Sequence, residues 1–253
     1  MPRFRLTLAY DGAPFVGWQR QAEGVSVQGL VEDVLARLAG GPVPVVGAGR
    51  TDAGVHALGQ VAAFSLDRDI APRTLVRALN FYLPAEIRAI RAEIVDPSFH
   101  ARFDARSKLY RYQIWNGPAV PPMLRRTVWQ VPGRLDADAM AAASAQLVGR
   151  HDFAAFQSVG TDVPDTTREL FASEVTVVGE TEVDPAAGRL LRYEACGDGF
   201  LRHMVRAIAG TLVEVGRGRR RADGMADLLR SRDRSRAGRT APPEGLCLIR
   251  VTY

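Results

Sequence analysis

The stretch Gly47-Ala-Gly-Arg-Thr-Asp-Ala-Gly-Val-His-Ala-Leu-Gly-Gln-Val-Ala-Ala-Phe64 carries four glycines and the pair Thr51-Asp52. An apolar run, Val43 to Val46, precedes the pair and another, Val61 to Leu66, follows it, so the stretch reads as strand, loop, strand. Glycine admits positive φ and close approach of a ligand or of other backbone. The loop presents one carboxylate, Asp52, beside Arg50 on a backbone with few side chains of its own. A lone acid on a glycine-rich loop at strand ends is a common way to present a catalytic group. Aspartate is also a favoured structural residue of turns, and the loop alone leaves both readings open. A phosphate-binding loop fits poorly. Gly47 and Gly49 match the start of G-x-G-x-x-G, but the sixth position is Asp52, a negative charge where a pyrophosphate would approach. No Gly-Lys-Ser/Thr follows, so the Walker pattern also fails.

Outward from this loop the chain reads as a repeat of element order. Phe4, Leu6, Leu8 and Tyr10 alternate with polar or small residues, a strand with one buried face. Ser26 is a helix cap, followed by Val27, Leu30, Val31, Val34, Leu35 and Leu38 at helical spacing, and Gly40-Gly41-Pro42 ends that helix. Strands at Val43 to Val46 and Gln60 to Leu66 flank the loop. A helix from about Pro72 to Tyr82 stops at Pro84, and a strand from about Ile87 to Val95 completes β-α-β-β-α-β. The remainder repeats the order. It has a strand at Leu109 to Trp115, an alanine-rich helix at about Asp136 to Val148, and strands near Leu170 to Val178 and Leu190 to Cys196 joined by a turn at Asp184 to Gly188. A helix at about Phe200 to Val215, a short helix near Asp223 to Leu229 and a strand from Leu246 follow. The expected fold is therefore α+β: two tandem ferredoxin-like halves, residues 1–104 and 105–253. They are expected to join into one mostly antiparallel sheet with helices on one side and a central cleft facing the Asp52 loop.

Composition excludes several classes. With 253 residues, 47% hydrophobic and 24% charged, the chain can bury a substantial core. Net charge is +5, and the basic side is almost wholly arginine, with Lys108 the sole lysine. That permits a polyanionic partner without demanding one, and arginine suits phosphate forks and base stacking. Cys196 and Cys247 lie far apart in apolar runs and read as core thiols. The four histidines show no ligand spacing with each other or with cysteine, which argues against a zinc site. The alternating start lacks a signal-peptide core, and no apolar run reaches the roughly 18 residues of a membrane span, so a cytoplasmic location is expected.

Several segments together resemble the tRNA pseudouridine synthases of the TruA family. They are Tyr10-Asp-Gly-Ala-Pro-Phe-Val-Gly-Trp-Gln-Arg-Gln21, Ser26-Val-Gln28, the loop from Gly47 to Val61, Phe99-His-Ala-Arg102 and Lys108-Leu-Tyr-Arg-Tyr112. His151-Asp-Phe153, Phe200-Leu-Arg-His-Met-Val-Arg206, Gly210-Thr-Leu212 and Gly245-Leu246 complete the series, which runs nearly the whole chain. The resemblance implies a cofactor-independent enzyme that converts uridine to pseudouridine at positions 38, 39 and 40 of the tRNA anticodon stem-loop, working as a homodimer. It makes Asp52 the catalytic aspartate, Tyr110 the ring that stacks on the target uracil and a base for its C5 proton, and Arg206 the partner of the acid. It makes Arg50 the residue that helps displace the flipped base and Leu246 an apolar wall of the pocket. Lys108 stands where the family more often has arginine, and Pro243-Glu244 replaces a more usual small residue before Gly245. On the residues alone Tyr110 also reads as a strand tyrosine and Arg206 as a solvated helix flank. The arginines between Arg217 and Arg239 read equally as a salt-bridged surface and as a phosphate-contacting patch. Two rivals differ at visible positions: a non-catalytic RNA-binding protein would not need the acid, and a nucleotide-dependent enzyme would need the missing glycine or a phosphate lysine.

Overall fold

The computed structural model describes residues 1–158, 160, 163–180 and 188–253. It divides into two compact units, one of Met1–Arg106 with Cys247–Tyr253 and the other of Ser107–Leu246.

In the first unit β1 (Arg3–Tyr10) buries every second residue, as its alternation demands. It pairs antiparallel with β3 (His56–Ser65) on one side and β4 (Ile87–Val95) on the other. β2 (Val46–Gly47) pairs antiparallel with β3 through Val46 opposite Ala63 and Gly47 opposite Ala62. With α1 (Val27–Ala39) between β1 and β2, and α2 (Pro72–Tyr82) between β3 and β4, the order β4-β1-β3-β2 is ferredoxin-like. The core is anchored by a cross-strand stack of Phe4 on Phe64, ring centroids 5.6 Å apart.

Both helix boundaries are set locally. The Ser26 hydroxyl accepts the Gly29 N–H at 3.2 Å, and Gly40, at φ 78°, donates its N–H to the Ala36 carbonyl. Pro72 occupies the first turn of α2, where a missing N–H is harmless. The strands flanking the loop depart from expectation. β2 is two residues long, because Pro44 interrupts the apolar run and has no N–H to give a ladder. β3 begins at His56, four residues before Gln60. There β10 (Leu246–Thr252) supplies the ladder, parallel, with Cys247 opposite His56 and Leu248 opposite Ala57. A partner nearly two hundred residues away leaves no local mark on His56-Ala-Leu-Gly59.

In the second unit β5 (Ser107–Asn116), β9 (Arg189–Gly197), β8 (Thr167–Glu180) and β7 (Gly149–Asp152) form antiparallel ladders in the order β5-β9-β8-β7. β6 (Trp129–Gln130) lies parallel along β5. α3 (Ala137–Ala145) starts at an Asp136 cap that accepts the Ala139 N–H at 2.9 Å, and packs on β8 and on α4 (Met204–Gly216). α5 (Met225–Ser231) is the short helix expected near Asp223. α4 begins at Met204 and not at Phe200, because His203 adopts a left-handed backbone, φ 62° and ψ 3°, that a helix cannot pass through. Of the turn expected at Asp184 to Gly188, residues 184–187 lie outside the described residues. No described helix is long and apolar enough to cross a membrane.

Leu35, wholly buried on α1, tests the first unit's core. Leu35→Ala should lower the free energy of urea unfolding by about 2–5 kcal/mol, the range for a leucine truncated in a packed interior.

Candidate active site

The Asp52 loop is a tight turn braced from outside. Asp52 accepts the Val55 N–H at 3.1 Å, and Gly54 takes φ 76°, the positive φ that a type II turn requires at its third position. The chain from Asp11 to Trp18 lies against this turn. Trp18 donates its N–H to the Thr51 carbonyl at 3.0 Å, Gly17 forms a bridge with Asp52, and Gly54 donates to the Phe15 carbonyl at 3.4 Å. Gly17 has φ 113°, and a Cβ there would sit 2.6 Å from the Thr51 oxygen. At Gly47 a Cβ would sit 2.5 Å from the indole nitrogen of Trp18. Only glycine permits these approaches.

Side chains complete the brace. The Tyr10 hydroxyl and the Thr51 hydroxyl are 2.8 Å apart, and the Gln60 amide donates to the Gly49 carbonyl at 2.9 Å and to the Tyr10 oxygen at 3.4 Å. Burial pushes the Tyr10 phenol far above its usual range, opposed by the hydrogen bonds with Thr51 and Gln60. Tyr10 is therefore a neutral strut at any physiological pH. The Asp52 side chain is half-buried at the turn, and Arg50, two residues before it, is exposed with its Nε on the Gln19 amide oxygen at 3.2 Å. Arg50 and Asp52 thus stand on the same loop with one residue between them.

Tyr110, Arg206 and Leu246 belong to the second unit. Tyr110 is buried on β5, and the ring of Phe200 meets it edge-to-face at 4.9 Å and 76°. Arg206 stands in the first turn of α4, where the helix dipole disfavours a cation. Its Nε donates to the Ala241 carbonyl at 2.8 Å, and Ala241 returns its N–H to the Arg206 carbonyl at 3.1 Å. Directly after Ala241, the Pro242 carbonyl accepts the Tyr112 hydroxyl at 2.8 Å. Gly245 lies flat on Tyr112, where a Cβ would come within 2.6 Å of the ring, and Leu246 is buried next to it. Burial raises the Tyr112 phenol well beyond its usual range, with Glu244 adding to the rise and the charges of Arg206 and Arg239 opposing it.

Segment 241–246 therefore ties Arg206 to Tyr112 and positions Leu246. Tyr112 and Phe200 are further members of this site that no motif role assigns. The signal for Tyr112 was present, since Tyr110 and Tyr112 share strand parity and hence one face of β5; Phe200 had no such signal.

Other expectations resolve by geometry. Trp18 and Trp115 are buried packing residues. Cys196 and Cys247 are half-buried, not core, because on β9 and β10 each occupies a partly exposed strand position. Several arginines between 217 and 239 are engaged within the protein: Arg220 with Glu214, Arg221 with Asp223, Arg230 with Asp227, Arg232 with Asp152 and Arg234 with Thr240. Arg239 covers the Trp129 ring at 4.9 Å. Among the described residues no group of three or more His, Cys, Asp or Glu is placed to hold a metal ion.

A half-buried carboxylate on a turn fixed by backbone contacts can act as a nucleophile or a base with little freedom to lose. Gly17→Ala tests that rigidity. Backbone strain at this φ alone should cost about 1–3 kcal/mol, read in chemical denaturation, and the overlap with Thr51 should add to it.

Comparison with known proteins gives one answer. A family model described as tRNA pseudouridine synthase matches residues 7–104 and 143–253. The tRNA pseudouridine synthase A of Solidesulfovibrio magneticus is 48% identical over 258 residues, covering 100% of this chain and 92% of that protein. Those of Syntrophotalea carbinolica and Myxococcus xanthus are 45% and 44% identical, covering 98% and 100% of this chain and 95% and 92% of the relatives. Arg50, Asp52, Arg206 and Leu246 fall within the stretches that the family model matches. Tyr110 falls between them, inside the full-length match to the Solidesulfovibrio protein.

Proposed function

This chain belongs to the tRNA pseudouridine synthase family, and from that premise we propose that it isomerises uridines in the anticodon arm of tRNA with Asp52 as its catalytic aspartate. The activity is an isomerisation: the N1–C1′ bond breaks, the uracil turns, and a C5–C1′ bond forms, with the C5 proton lost and one gained at N1. No redox change or hydrolysis is involved, so no cofactor is required. The observation that carries the reading is the match along the full chain to relatives of this activity, with Asp52 on a braced loop.

Each residue has a chemical part in the proposal. The Asp52 carboxylate attacks C1′ or removes a ribose proton. The uridine leaves its stack to reach it, which costs a few kcal/mol, and Arg50 is suited to fill the vacated space and grip phosphate. The freed uracil is held against the Tyr110 ring while it turns, and the Tyr110 hydroxyl serves as base for the C5 proton. Arg206 is the ionic partner that holds the acid in place, and Leu246 walls the base pocket. Positions 38, 39 and 40 are the target uridines, and the working species is a homodimer in the cytoplasm.

Unmodified tRNA transcripts incubated with the protein and mapped by carbodiimide-dependent primer-extension stops should show pseudouridine in the anticodon arm. Stops confined to other arms would overturn the substrate while leaving the chemistry. Asp52→Asn preserves shape and removes the charge, so it should bind tRNA nearly as well as the parent and form no product in a single turnover. Measurable product within about tenfold of the parent rate, a difference of roughly 1.4 kcal/mol in barrier, would remove Asp52 from the chemistry. Sedimentation equilibrium should give about twice the chain mass of 27.5 kDa.

A further inference from the structure

His56 opens β3 four residues after Asp52 and its side chain is almost wholly buried. Its Nδ1 accepts the Gly12 N–H at 3.0 Å. Asp11 Oδ1 lies 3.1 Å from the same nitrogen and accepts the Ala13 N–H at 3.0 Å, while Asp11 donates its own N–H to the Glu86 carbonyl at 2.9 Å. The direction of a backbone N–H is fixed by the chain, so a bond from Gly12 to Nδ1 requires that nitrogen to be bare. In the tautomer with its proton on Nε2, Nδ1 and the Asp11 carboxylate act as adjacent acceptors for two successive amides.

What this holds is the brace itself. At Gly12 a Cβ would overlap the Val55 carbonyl outright and come within 2.9 Å of the Gly54 carbonyl carbon. Five residues on, Gly17 bridges Asp52 and Trp18 holds Thr51. The segment thus touches the turn on both sides of Asp52, backbone to backbone, and His56 sets its first point of contact. We propose that His56 is a positioning residue for the catalytic acid, acting through its Nδ1 acceptor on Gly12 and touching neither substrate nor reacting atoms. Asp11 shares the task by fixing the next amide. The inference rests on the reading of Asp52 as the catalytic group.

The chemistry of the acceptor separates this role from that of a buried residue filling space. The Oδ1 of asparagine can occupy the place of Nδ1, whereas the terminal amide of glutamine reaches toward Nε2 and leaves Gly12 without its acceptor. His56→Asn, His56→Gln and Asp52→Asn are compared in the full chain on an unmodified tRNA transcript, with single-turnover rate and Kd measured separately and folding checked by circular dichroism. His56→Gln should lower the rate by on the order of 10–10²-fold with Kd nearly unchanged, since misplacing a reacting group by about an ångström costs that much. His56→Asn should recover most of the rate. A folded His56→Gln at the parent rate overturns the inference, as does a folded His56→Asn as slow as the glutamine variant, or a loss that appears in Kd and leaves the rate intact. Should His56→Gln fail to fold, the rate of His56→Asn alone decides. Asp52→Asn separates the two claims. If it is active, the reading of Asp52 fails; if it is inactive while His56→Gln is not impaired, only the role of His56 fails.

Discussion

Two stretches of backbone approach each other beside Asp52 more closely than any side chain would allow. Gly12 faces the Val55 carbonyl and Gly17 faces Thr51 and Asp52, each at a separation that excludes even a Cβ. Much else in the first unit follows from that approach. The Gly54 turn gives the loop its reversal, the Tyr10 and Gln60 side chains tie its near end to β1 and β3, and the Trp18 indole lies where Gly47 leaves room for it. Gly12, Gly17 and Gly54 serve one purpose, which is to let the backbone of the Asp52 turn be held by other peptide groups. Peptide contacts have no rotamers to lose, so the backbone position of Asp52 is set when the domain folds.

The second unit solves a different problem. A cation in the first turn of α4 is opposed by the helix dipole, and the Ala241 carbonyl offsets this by accepting from the Arg206 guanidinium. The same strip of chain takes the Tyr112 hydroxyl on Pro242 and lies flat on its ring at Gly245. Arg206, Tyr112 and Leu246 are thereby linked through one short strip of chain. His203 adds a left-handed residue directly before α4, the kind of backbone outlier that structures retain where geometry near a site matters.

The helices of the first unit were legible because their signals are local. Ser26, Gly40 and Pro72 act on neighbours within four residues, and both helices begin where those residues place them. Strand ends were less legible. Pro44 shortens β2, and the start of β3 depends on β10, whose pairing with His56 carries no trace in the intervening sequence. The late start of α4 was hidden for a similar reason, since Phe200-Leu-Arg-His203 has helical spacing and only the φ of His203 breaks it.

For the site the division is the same. The sequence by itself determined that an acid sits in a glycine-rich loop, that an arginine precedes it by two residues, and that Tyr110 and Tyr112 share a face, because these follow from adjacency and period. It also determined the family, through motifs spread along the chain. Only the tertiary structure decided why the glycines are there, which amide the His56 ring accepts, and which carbonyl holds Arg206. Those are contacts between segments 29 to 44 residues apart, and hydrogen-bond direction and steric exclusion act through space, where sequence spacing has no bearing.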